Sequence, residues 1–239
     1  MIPKSHPRYL SLLTREKIVD GVNKGVTSIH GLIAHGRGEA FDYLIKERTN
    51  DFAKKAIDAA AAMLLLAKLP VLSINGNVAA LVSSEIGKLS KIIPAKVEVN
   101  IFHSSKAREV KIKKHLLKNG AKEVLMPKKK LIKGIEHNRS FCNPEGIYKS
   151  DVVFVPLEDG DRCKALKKMG KKIIVVDLNP LSRTAKTADI TIVDNIIRTM
   201  PLLISMVNKY KKLDRKKLRK IIKDYNNKKI LAASLKAVR

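Results

Sequence analysis

Apolar and polar positions follow two different periods along this chain. Over the first 69 residues the apolar positions recur every three to four residues, which predicts amphipathic helices. We expect one helix over 8–24 that ends at Gly25, a second that begins near Glu39, and a third over about 50–69 that Pro70 stops. The first quarter of the chain is therefore predicted to be helical.

From residue 70 onward, short β-branched runs alternate with helical stretches. The runs that predict strands are 71–75, 95–102, 123–126, 151–155, 172–177 and 189–193. The helices predicted between them are about 78–93, 104–118, 161–169 and 194–209. Residues 127–147 follow neither period, and we expect an irregular excursion or a lid there. Strands that alternate with helices imply βαβ units, so the predicted fold is α/β, with a doubly wound, mostly parallel, Rossmann-like sheet of about six strands.

The charge of the chain is strongly positive and unevenly placed. Of its 239 residues, 49 are Lys or Arg and 22 are Asp or Glu, which gives a net charge of +27 and predicts an anionic partner. Residues 104–133 hold eleven Lys or Arg against two Glu, and residues 209–239 hold thirteen against two Asp. Over 211–238 the basic residues alternate with Leu and Ile at helical spacing. A solvated basic helix pair is the favoured interpretation of that segment, and a partner or RNA contact is the alternative.

Composition narrows the classes of partner. Aromatic residues make up 4% and Trp is absent, so base-stacking platforms are not supported; nucleic acid is not an expected partner, although the basic tail leaves it open. Cys142 and Cys163 lack metal-binding or disulfide spacing, which suits a reducing cytoplasm. The chain starts without a secretory-signal pattern, and its longest apolar run, roughly 59–67, is far shorter than the ~20 residues that span a bilayer. We therefore expect a cytoplasmic protein with no membrane partner.

These patterns together predict the organisation of the chain. We expect a single domain over 1–208, made of a helical part over 1–69 and a Rossmann-like α/β part over 70–208. A basic helical tail over 209–239 is predicted to follow it.

Polar motifs follow four of the predicted strands, and a doubly wound sheet binds its ligands at the carboxyl ends of its strands. Asn75-Gly76-Asn77 follows the first strand; taken alone, a turn with a helix cap is the favoured interpretation. A structural protein has little need of four such motifs, so the set indicates a ligand site.

The motif after the fourth predicted strand is acidic. Glu158, Asp159 and Asp161 crowd one strand-to-helix turn beside Arg162. An acidic helix cap explains one of these carboxylates but hardly three. Such a cluster can hold Mg²⁺ or receive an ammonium group, and we favour a functional role.

The motifs after the last two predicted strands suit a nucleotide. Asp177 stands where doubly wound folds place the acidic residue that holds a ribose hydroxyl. Arg183 and Thr184 offer a guanidinium fork and a hydroxyl, which both suit phosphate. Asp194 or Asn195 lies at a predicted helix start.

Cationic side chains also recur in the first quarter. Arg8 and Arg15 are seven residues apart and share a helix face, and two glycines flank Arg37. Either the glycine pair forms an ordinary turn, or it seats an anion before the helix expected at Glu39. For each arginine alone a surface salt bridge is the commoner explanation, and His35 is more often structural than a base. The chain contains no Walker loop and no dinucleotide-binding glycine fingerprint.

Six segments in order resemble the archaeal 4-phosphopantoate–β-alanine ligases, a family also called phosphopantothenate synthetases. The resemblance covers about residues 1–208 and is carried by IPKSHPRY (2–9), GLIAHGRGEAFDYL (31–44), NGNVAAL (75–81), VPLEDGDR (155–162), DLNPLSRT (177–184) and ITIVDN (190–195). It implies a homodimeric enzyme of coenzyme A biosynthesis. That enzyme would join 4-phosphopantoate to β-alanine and split ATP, carried with Mg²⁺, to AMP and diphosphate through an acyl-adenylate.

The resemblance also implies site residues. The ATP contacts implied are Arg15, Arg37, Asp177, Leu178, Asn179, Arg183, Thr184, Asn195 and Ile196. The residues that we assign to 4-phosphopantoate, β-alanine or metal are Arg8, His35, Asn75, Asn77, Glu158, Asp159, Asp161 and Arg162.

The chain departs from the family pattern at two positions. Lys46 stands where the family carries a glycine before a glutamate, and Ser104 stands where it carries an arginine after the second strand. If that arginine binds substrate phosphate, this chain must use another cation.

Overall fold

A parallel sheet between helices forms the body of the protein. The computed structural model describes residues 2–102 and 104–238. Its α-helices there are α1 (Tyr9–Asn23), α2 (Ile29–Leu44), α3 (Asp51–Leu66), α4 (Gly76–Ile92), α5 (Lys106–Lys118), α6 (Gly160–Lys168), α7 (Arg183–Thr187), α8 (Ile196–Tyr210), α9 (Arg215–Asp224) and α10 (Asn227–Ala237). The strands are β1 (Pro70–Ile74), β2 (Lys96–Val99), β3 (Val124–Leu125), β4 (Lys130–Leu131), β5 (Phe141–Cys142), β6 (Val152–Phe154), β7 (Lys172–Val176) and β8 (Ile190–Ile192).

The main sheet has six strands in the order β3-β2-β1-β6-β7-β8, and every neighbouring pair is parallel. In the register of the central strands, Leu72 pairs with Val97 on one side and with Phe154 on the other. The six predicted strands and the doubly wound α/β fold are confirmed. Chain order reverses between β1 and β6, and that reversal is the switch point where such sheets bind ligands.

Alternate strand residues pack into two cores, one on each face of the sheet. Leu72, Ile74 and Phe154 belong to the larger core, together with apolar residues of α3, α4 and α8. Val71 and Val153 belong to the smaller core, with α6 and part of the segment between β3 and β6. Because both faces are covered, the strands consist almost wholly of buried apolar residues, as expected of a parallel sheet.

The helical first quarter is confirmed, with two corrections. Gly25 follows α1 with φ +68°, the left-handed conformation expected of a C-terminal glycine. The second helix begins at Ile29 and not near Glu39, because Ser28 caps it by accepting a hydrogen bond from the Gly31 N–H. Pro70 does not stop the third helix, which ends at Leu66; Pro70 is instead the first residue of β1.

The loop after α2 contains two left-handed residues that are not glycine. Lys46 has φ +69° and Glu47 has φ +47°. A glycine would adopt this conformation without steric cost, which gives a conformational reason for the glycine that the resemblance implies at position 46.

The expected irregular excursion contains the antiparallel pair β4–β5, a 3₁₀ turn at Asn138–Ser140 and a further helical turn that begins at Pro144. A buried carboxylate of β2 anchors the far end of this segment: Glu98 accepts hydrogen bonds from the N–H groups of Asn143 (2.8 Å) and Ile147 (2.7 Å). A Cβ atom on Gly146 would lie 2.0 Å from Glu98 Oε2, so only glycine fits there.

The basic C-terminal segment forms the expected helix pair, α9 and α10, and both helices pack against α3. Leu218, Ile230 and Leu231 are buried there. Asn227 Oδ1 accepts a hydrogen bond from the N–H of Thr191 at 2.9 Å, so this segment covers part of the open edge of β8. Across the residues that the structure describes, every helix is too short or too polar to span a lipid bilayer.

Candidate active site

A cavity of about 590 Å³ lies at the carboxyl edge of the sheet, around the switch point. Loops that follow β1, β2, β6, β7 and β8 line it, and α2 closes it from above the strand ends. The predicted site residues that line it are His35, Arg37, Asn75, Asn77, Glu158, Asp159, Asp177, Leu178, Asn179, Arg183, Thr184, Asn195 and Ile196. Motifs that are up to 160 residues apart in sequence therefore meet in one place.

Four predicted residues do not line the cavity. Arg15 binds Glu39 through Nε and Nη2, each at 2.9 Å. Of these two residues, Glu39 belongs to the cavity lining and Arg15 does not. Arg8 is exposed at the cap of α1, and Asp161 is exposed and paired with Arg183 at 3.1 Å. The guanidinium of Arg162 is fully buried beneath the site. Direct ligand contact predicted for Arg162 is therefore corrected to a supporting position.

Helix N-termini converge on the cavity. The cap Ser28 and the first-turn residues His30 and Gly31 of α2 belong to its lining, as do the first residues of α4, α6 and α8. The first N–H groups of a helix have no partner within the helix and carry a partial positive charge. Such an arrangement favours anions, and phosphate in particular.

The glycine pair around Arg37 lies inside α2 and does not precede a helix. The predicted turn, with the dipole of a helix beginning at Glu39, is therefore wrong. No atom lies within 4 Å of a Cβ built on Gly36, and a Cβ on Gly38 would lie 3.7 Å from Leu178 Cδ1 at the cavity wall. The absence of a side chain at Gly38 keeps the cavity open beside Arg37.

The loop after β7 is shaped by Asp177. Its carboxylate accepts hydrogen bonds from the Asn179 N–H at 2.9 Å and from the Ser182 hydroxyl. Burial raises the pKa of Asp177, although these two hydrogen bonds and the charge of Arg37 oppose that shift. The side chain thus fixes the loop and stands beside a cation at the cavity.

Two further predicted residues join neighbouring strand ends. The buried Thr184 hydroxyl donates to the carbonyl of Glu158 at 2.8 Å, which ties the loop after β7 to the loop after β6. Asn195 caps α8 through the Ile197 N–H and donates to Asp42 of α2 at 2.8 Å. Asn195 therefore holds α2 over the sheet edge.

The three carboxylates after β6 do not converge. Glu158 is fully buried and lies between two arginines: it accepts hydrogen bonds from Arg139 and, at 2.7 Å, from Arg162 Nη1. These two cations outweigh burial and hold the pKa of Glu158 below its usual range. Asp159 is half-exposed and also binds Arg139 at 2.7 Å. Within residues 2–102 and 104–238, no group of three acidic, His or Cys side chains could hold a metal ion. In place of three converging carboxylates, the structure has an ion-pair network in which Arg139 and Arg162 bind Glu158, and Arg139 also binds Asp159.

The first loop residues after β6 are strained. Leu157 adopts φ +57° without being glycine, and its N–H donates to the Val176 carbonyl at 3.0 Å. Asn75 Nδ2 donates to the carbonyls of Pro156 and Leu157 at 3.1 and 2.9 Å, while its Oδ1 caps α4. The cap predicted for Asn75 is confirmed, and the same side chain clamps β1 to β6 across the switch point.

His35 lies on α2 and faces the cavity. Burial lowers its pKa, so the imidazole is neutral at pH 7. Its Nε2 atom is buried and makes no hydrogen bond to the described residues. A ligand group that enters the cavity could supply the missing partner.

The sequence did not identify two arginines of the cavity wall, Arg108 and Arg139. Arg139 lies in the excursion after β4, and Arg108 lies in a lysine-rich helix with a solvated pattern. Neither follows a strand of the sheet directly, so the strand-end rule could not find them. The available signal in the sequence was Gly76, because a glycine at a helix start leaves room for a close neighbour. In the structure that neighbour is Arg108, whose Nη2 would lie 2.9 Å from a Cβ on Gly76.

A doubly wound sheet with helix N-termini and cations around a switch-point cavity is typical of α/β proteins that bind phosphate-bearing ligands. The family model for phosphopantothenate/pantothenate synthetase matches residues 52–239. This chain belongs to that family.

Relatives named 4-phosphopantoate–β-alanine ligase align over nearly the full chain. The protein of Thermococcus kodakarensis is 52% identical over 240 residues, which cover 100% of this chain and 92% of the relative. That of Thermococcus onnurineus is 53% identical over 233 residues (96% and 89%), and that of Methanosarcina mazei is 49% identical over 237 residues (99% and 94%). The resemblance read from the six motifs is confirmed.

Proposed function

We propose that this chain is an ATP-dependent ligase that condenses 4-phosphopantoate with β-alanine to 4-phosphopantothenate in coenzyme A biosynthesis. Identities of 49–53% over nearly full length to ligases of that name support the reaction. The proposal rests on one observation: the cavity at the switch point has both an edge suited to a nucleotide, at the ends of β7 and β8, and a cationic edge, at the ends of β1 and β2.

The chemistry needs positioning and charge more than a protein nucleophile. A carboxylate oxygen of 4-phosphopantoate attacks the α-phosphorus of ATP, and the bond to the β-phosphate breaks, so diphosphate leaves and an acyl-adenylate forms. The amine of β-alanine then attacks the acyl carbon, the bond to AMP breaks, and the amine loses a proton. Both thiols of the chain are buried, and burial raises the pKa of Cys142 to about 11, which suits neither to nucleophilic catalysis.

For ATP we propose the half of the cavity at the ends of β7 and β8. Asp177 would hold ribose or base, and Arg37 and Arg183 would bind phosphates. Arg15 would act from beside the cavity, where it holds Glu39. The remaining proposed contacts are Leu178, Asn179, Thr184, Asn195 and Ile196, which line the same half.

Mg²⁺ is proposed to enter with ATP, since the described residues offer no preformed metal cluster. Asp159 fits this role, because its carboxylate is half-exposed at the cavity and Mg²⁺ in phosphate sites commonly takes only one or two protein carboxylates. When bound, the ion would neutralise charge on the phosphates. Asp159 could instead receive the ammonium group of β-alanine.

We further propose that the protein is a cytoplasmic homodimer that pairs through α1 and α2. These helices expose Leu10, Ile29, Ile33 and Tyr43 by 66–73%, a larger apolar face than one protomer needs. Light scattering after gel filtration should give twice the 26.6 kDa of one chain, and Ile33→Asp should shift it to the monomer mass. A monomeric unmodified protein would exclude the dimer.

The ligase activity is tested by diphosphate release with ATP, Mg²⁺, 4-phosphopantoate and β-alanine, with each omitted in turn. The acyl-adenylate is tested separately by exchange of labelled diphosphate into ATP. That exchange should require 4-phosphopantoate and not β-alanine. Folded protein that releases no diphosphate at saturating substrates would refute the activity, and AMP formation without exchange would refute the intermediate as drawn.

The Arg37 assignment is tested with a matched pair of variants. Arg37→Ala should lower the rate about 10²–10³-fold, the usual loss when one preorganised donor to developing charge is removed. Arg48→Ala removes the same charge from an exposed position just after α2, outside the cavity, and should leave the rate unchanged. Equal effects of the two substitutions would point to overall charge and not to contact.

A further inference from the structure

The cavity has a second cationic edge that the proposed ATP contacts do not use. Arg108 belongs to the first turn of α5 and lines the cavity at the ends of β1 and β2. Arg37 and Arg183 stand toward the β7–β8 half, and Arg139 is engaged by Glu158 and Asp159. The cations of the site are thus divided between two halves.

The guanidinium of Arg108 lies against the N-terminus of α4. A Cβ atom built on Gly76, the first residue of that helix, would lie 2.9 Å from Arg108 Nη2 and 2.7 Å from the Val26 carbonyl oxygen. Only glycine allows this approach. A guanidinium and first-turn N–H groups therefore face the same volume.

The N-terminus of α2 adds to this edge. Thr27 and Ser28 line the cavity beside Asn77. The Asn77 side chain accepts a hydrogen bond from the Thr27 hydroxyl at 2.5 Å and donates one to the Gly31 carbonyl at 2.8 Å. Asn77 thereby fixes the start of α2 over the start of α4. α2 has 16 residues, and α4 is kinked at Val82, six residues after its start. The first N–H groups of both helices face the place where Arg108 lies.

The geometry of the substrate determines which half its phosphate can occupy. In 4-phosphopantoate the carboxylate must reach the α-phosphorus of ATP, while the phosphate stands at the other end of the molecule. The phosphate must therefore point away from the nucleotide, toward β1 and β2. A phosphate carries about −1.5 to −2 charges at neutral pH and needs cationic donors when it leaves water. Burial also lowers the pKa of Arg108, which marks a partly dehydrated guanidinium.

We propose that Arg108, with the N-termini of α2 and α4, binds the phosphate of 4-phosphopantoate and selects it over pantoate. The assignment rests on the proposed ligase function. It is also compatible with Ser104, where the resemblance implies an arginine: the Ser104 hydroxyl donates to Glu109 on α5, and Arg108 in the first turn of that helix supplies the cation.

The test compares unmodified protein with Arg108→Gln and Arg108→Lys. KM for 4-phosphopantoate should rise about 10–100-fold in Arg108→Gln, as expected for lost hydrogen bonds to a charged group, while KM for ATP stays within about threefold. Inorganic phosphate should inhibit the unmodified enzyme in competition with 4-phosphopantoate and not with ATP. Arg108→Gln should lose that inhibition, and Arg108→Lys should retain part of it.

Lys106→Gln provides the matched control, because it removes one charge from an exposed position on the same turn of α5. Its constants should equal those of the unmodified enzyme. An Arg108→Gln enzyme with unchanged KM for 4-phosphopantoate, or with KM raised equally for ATP, would overturn the inference while leaving the ligase function intact. If Arg108→Gln does not fold, Arg108→Lys decides by the same two constants. An unmodified enzyme without activity would refute the ligase proposal instead.

Discussion

Glu98 should make the stability of this protein depend on pH near neutrality. It lies on β2, between the edge strand β3 and β1, is completely buried, and accepts hydrogen bonds from two backbone N–H groups. Burial raises the pKa of the Glu98 carboxyl from the ordinary 4.5 to about 7, although the two N–H groups and the charge of Arg162 oppose that shift. Desolvation therefore outweighs hydrogen bonding at this site.

The sign and size of the effect follow from proton linkage. Between pH 4.5 and 7 the folded protein holds a proton on Glu98 that the unfolded chain has released. The stabilisation is therefore fully present below pH 4.5 and is lost as pH rises through 7. At about 1.4 kcal/mol per pH unit over that interval, the loss amounts to about 3 kcal/mol in the free energy of unfolding.

The measurement is urea unfolding followed by circular dichroism, since the chain has no Trp, at pH 5 and pH 8. Other buried carboxyls, such as Asp177 and Asp194, also titrate with raised pKa, so the comparison is made against Glu98→Gln. The stability of the unmodified protein relative to Glu98→Gln should be about 2–3 kcal/mol greater at pH 5 than at pH 8, because part of the loss has already occurred at pH 5. Glu123→Gln, at an exposed position, should show no such difference. If the difference in the free energy of unfolding between the unmodified protein and Glu98→Gln is the same at both pH values, the predicted role of Glu98 is refuted.

Three further predictions concern helices and termini. Gly38→Ala and Gly36→Ala should each stabilise α2 by about 0.5–1 kcal/mol in thermal unfolding. Of the two glycines Gly38 lines the cavity and Gly36 does not, so Gly38→Ala alone should lower ligase activity. Equal activities of the two variants would contradict this. Lys46→Gly should raise stability by up to about 1 kcal/mol by relieving a left-handed residue, whereas the same change at Arg48 should not. Removal of residues 214–239 should cost more than about 4 kcal/mol, since three buried apolar side chains and the cover of β8 are lost; a truncated protein that melts like the full chain would refute it.

Strand-end reasoning from the sequence succeeded where chemistry and topology coincide. In a parallel sheet the carboxyl ends of all strands lie on one edge, so motifs that follow β1, β6, β7 and β8 had to meet once the strands were found. The period of the apolar positions was enough to find those strands, because both faces of the sheet are covered. The roles of the predicted contacts remain predictions, but their proximity follows from topology alone.

The same reasoning could not tell which polar atoms are already engaged. The sequence predicts that Glu158 and Arg162 both face a ligand, yet Arg162 lies beneath the cavity and binds Glu158 at 2.7 Å. The second arginine bound to Glu158, Arg139, comes from the excursion, and no local pattern links it to β6. Long-range ion pairs of this kind depend on where an irregular segment folds back, which the sequence periods do not report.

The position of α2 changes how Arg37 can work. A helix that began at Glu39 would have offered its own N–H groups to a phosphate, but in α2 those groups lie at Ser28, more than two turns earlier. The two interior glycines weaken the helix by roughly 1–2 kcal/mol in total relative to alanine, so a requirement other than helix stability must favour them. Asn195 and Arg198 bind Asp42 and so fix the end of α2 over the sheet. With that end held, the two glycines leave open space beside Leu178, and Arg37 can approach a phosphate from the side of the helix. The N-termini of α2 and α4 face the opposite half of the cavity. One helix thus serves both halves, its start at the edge assigned to the substrate phosphate and its middle at the edge assigned to ATP.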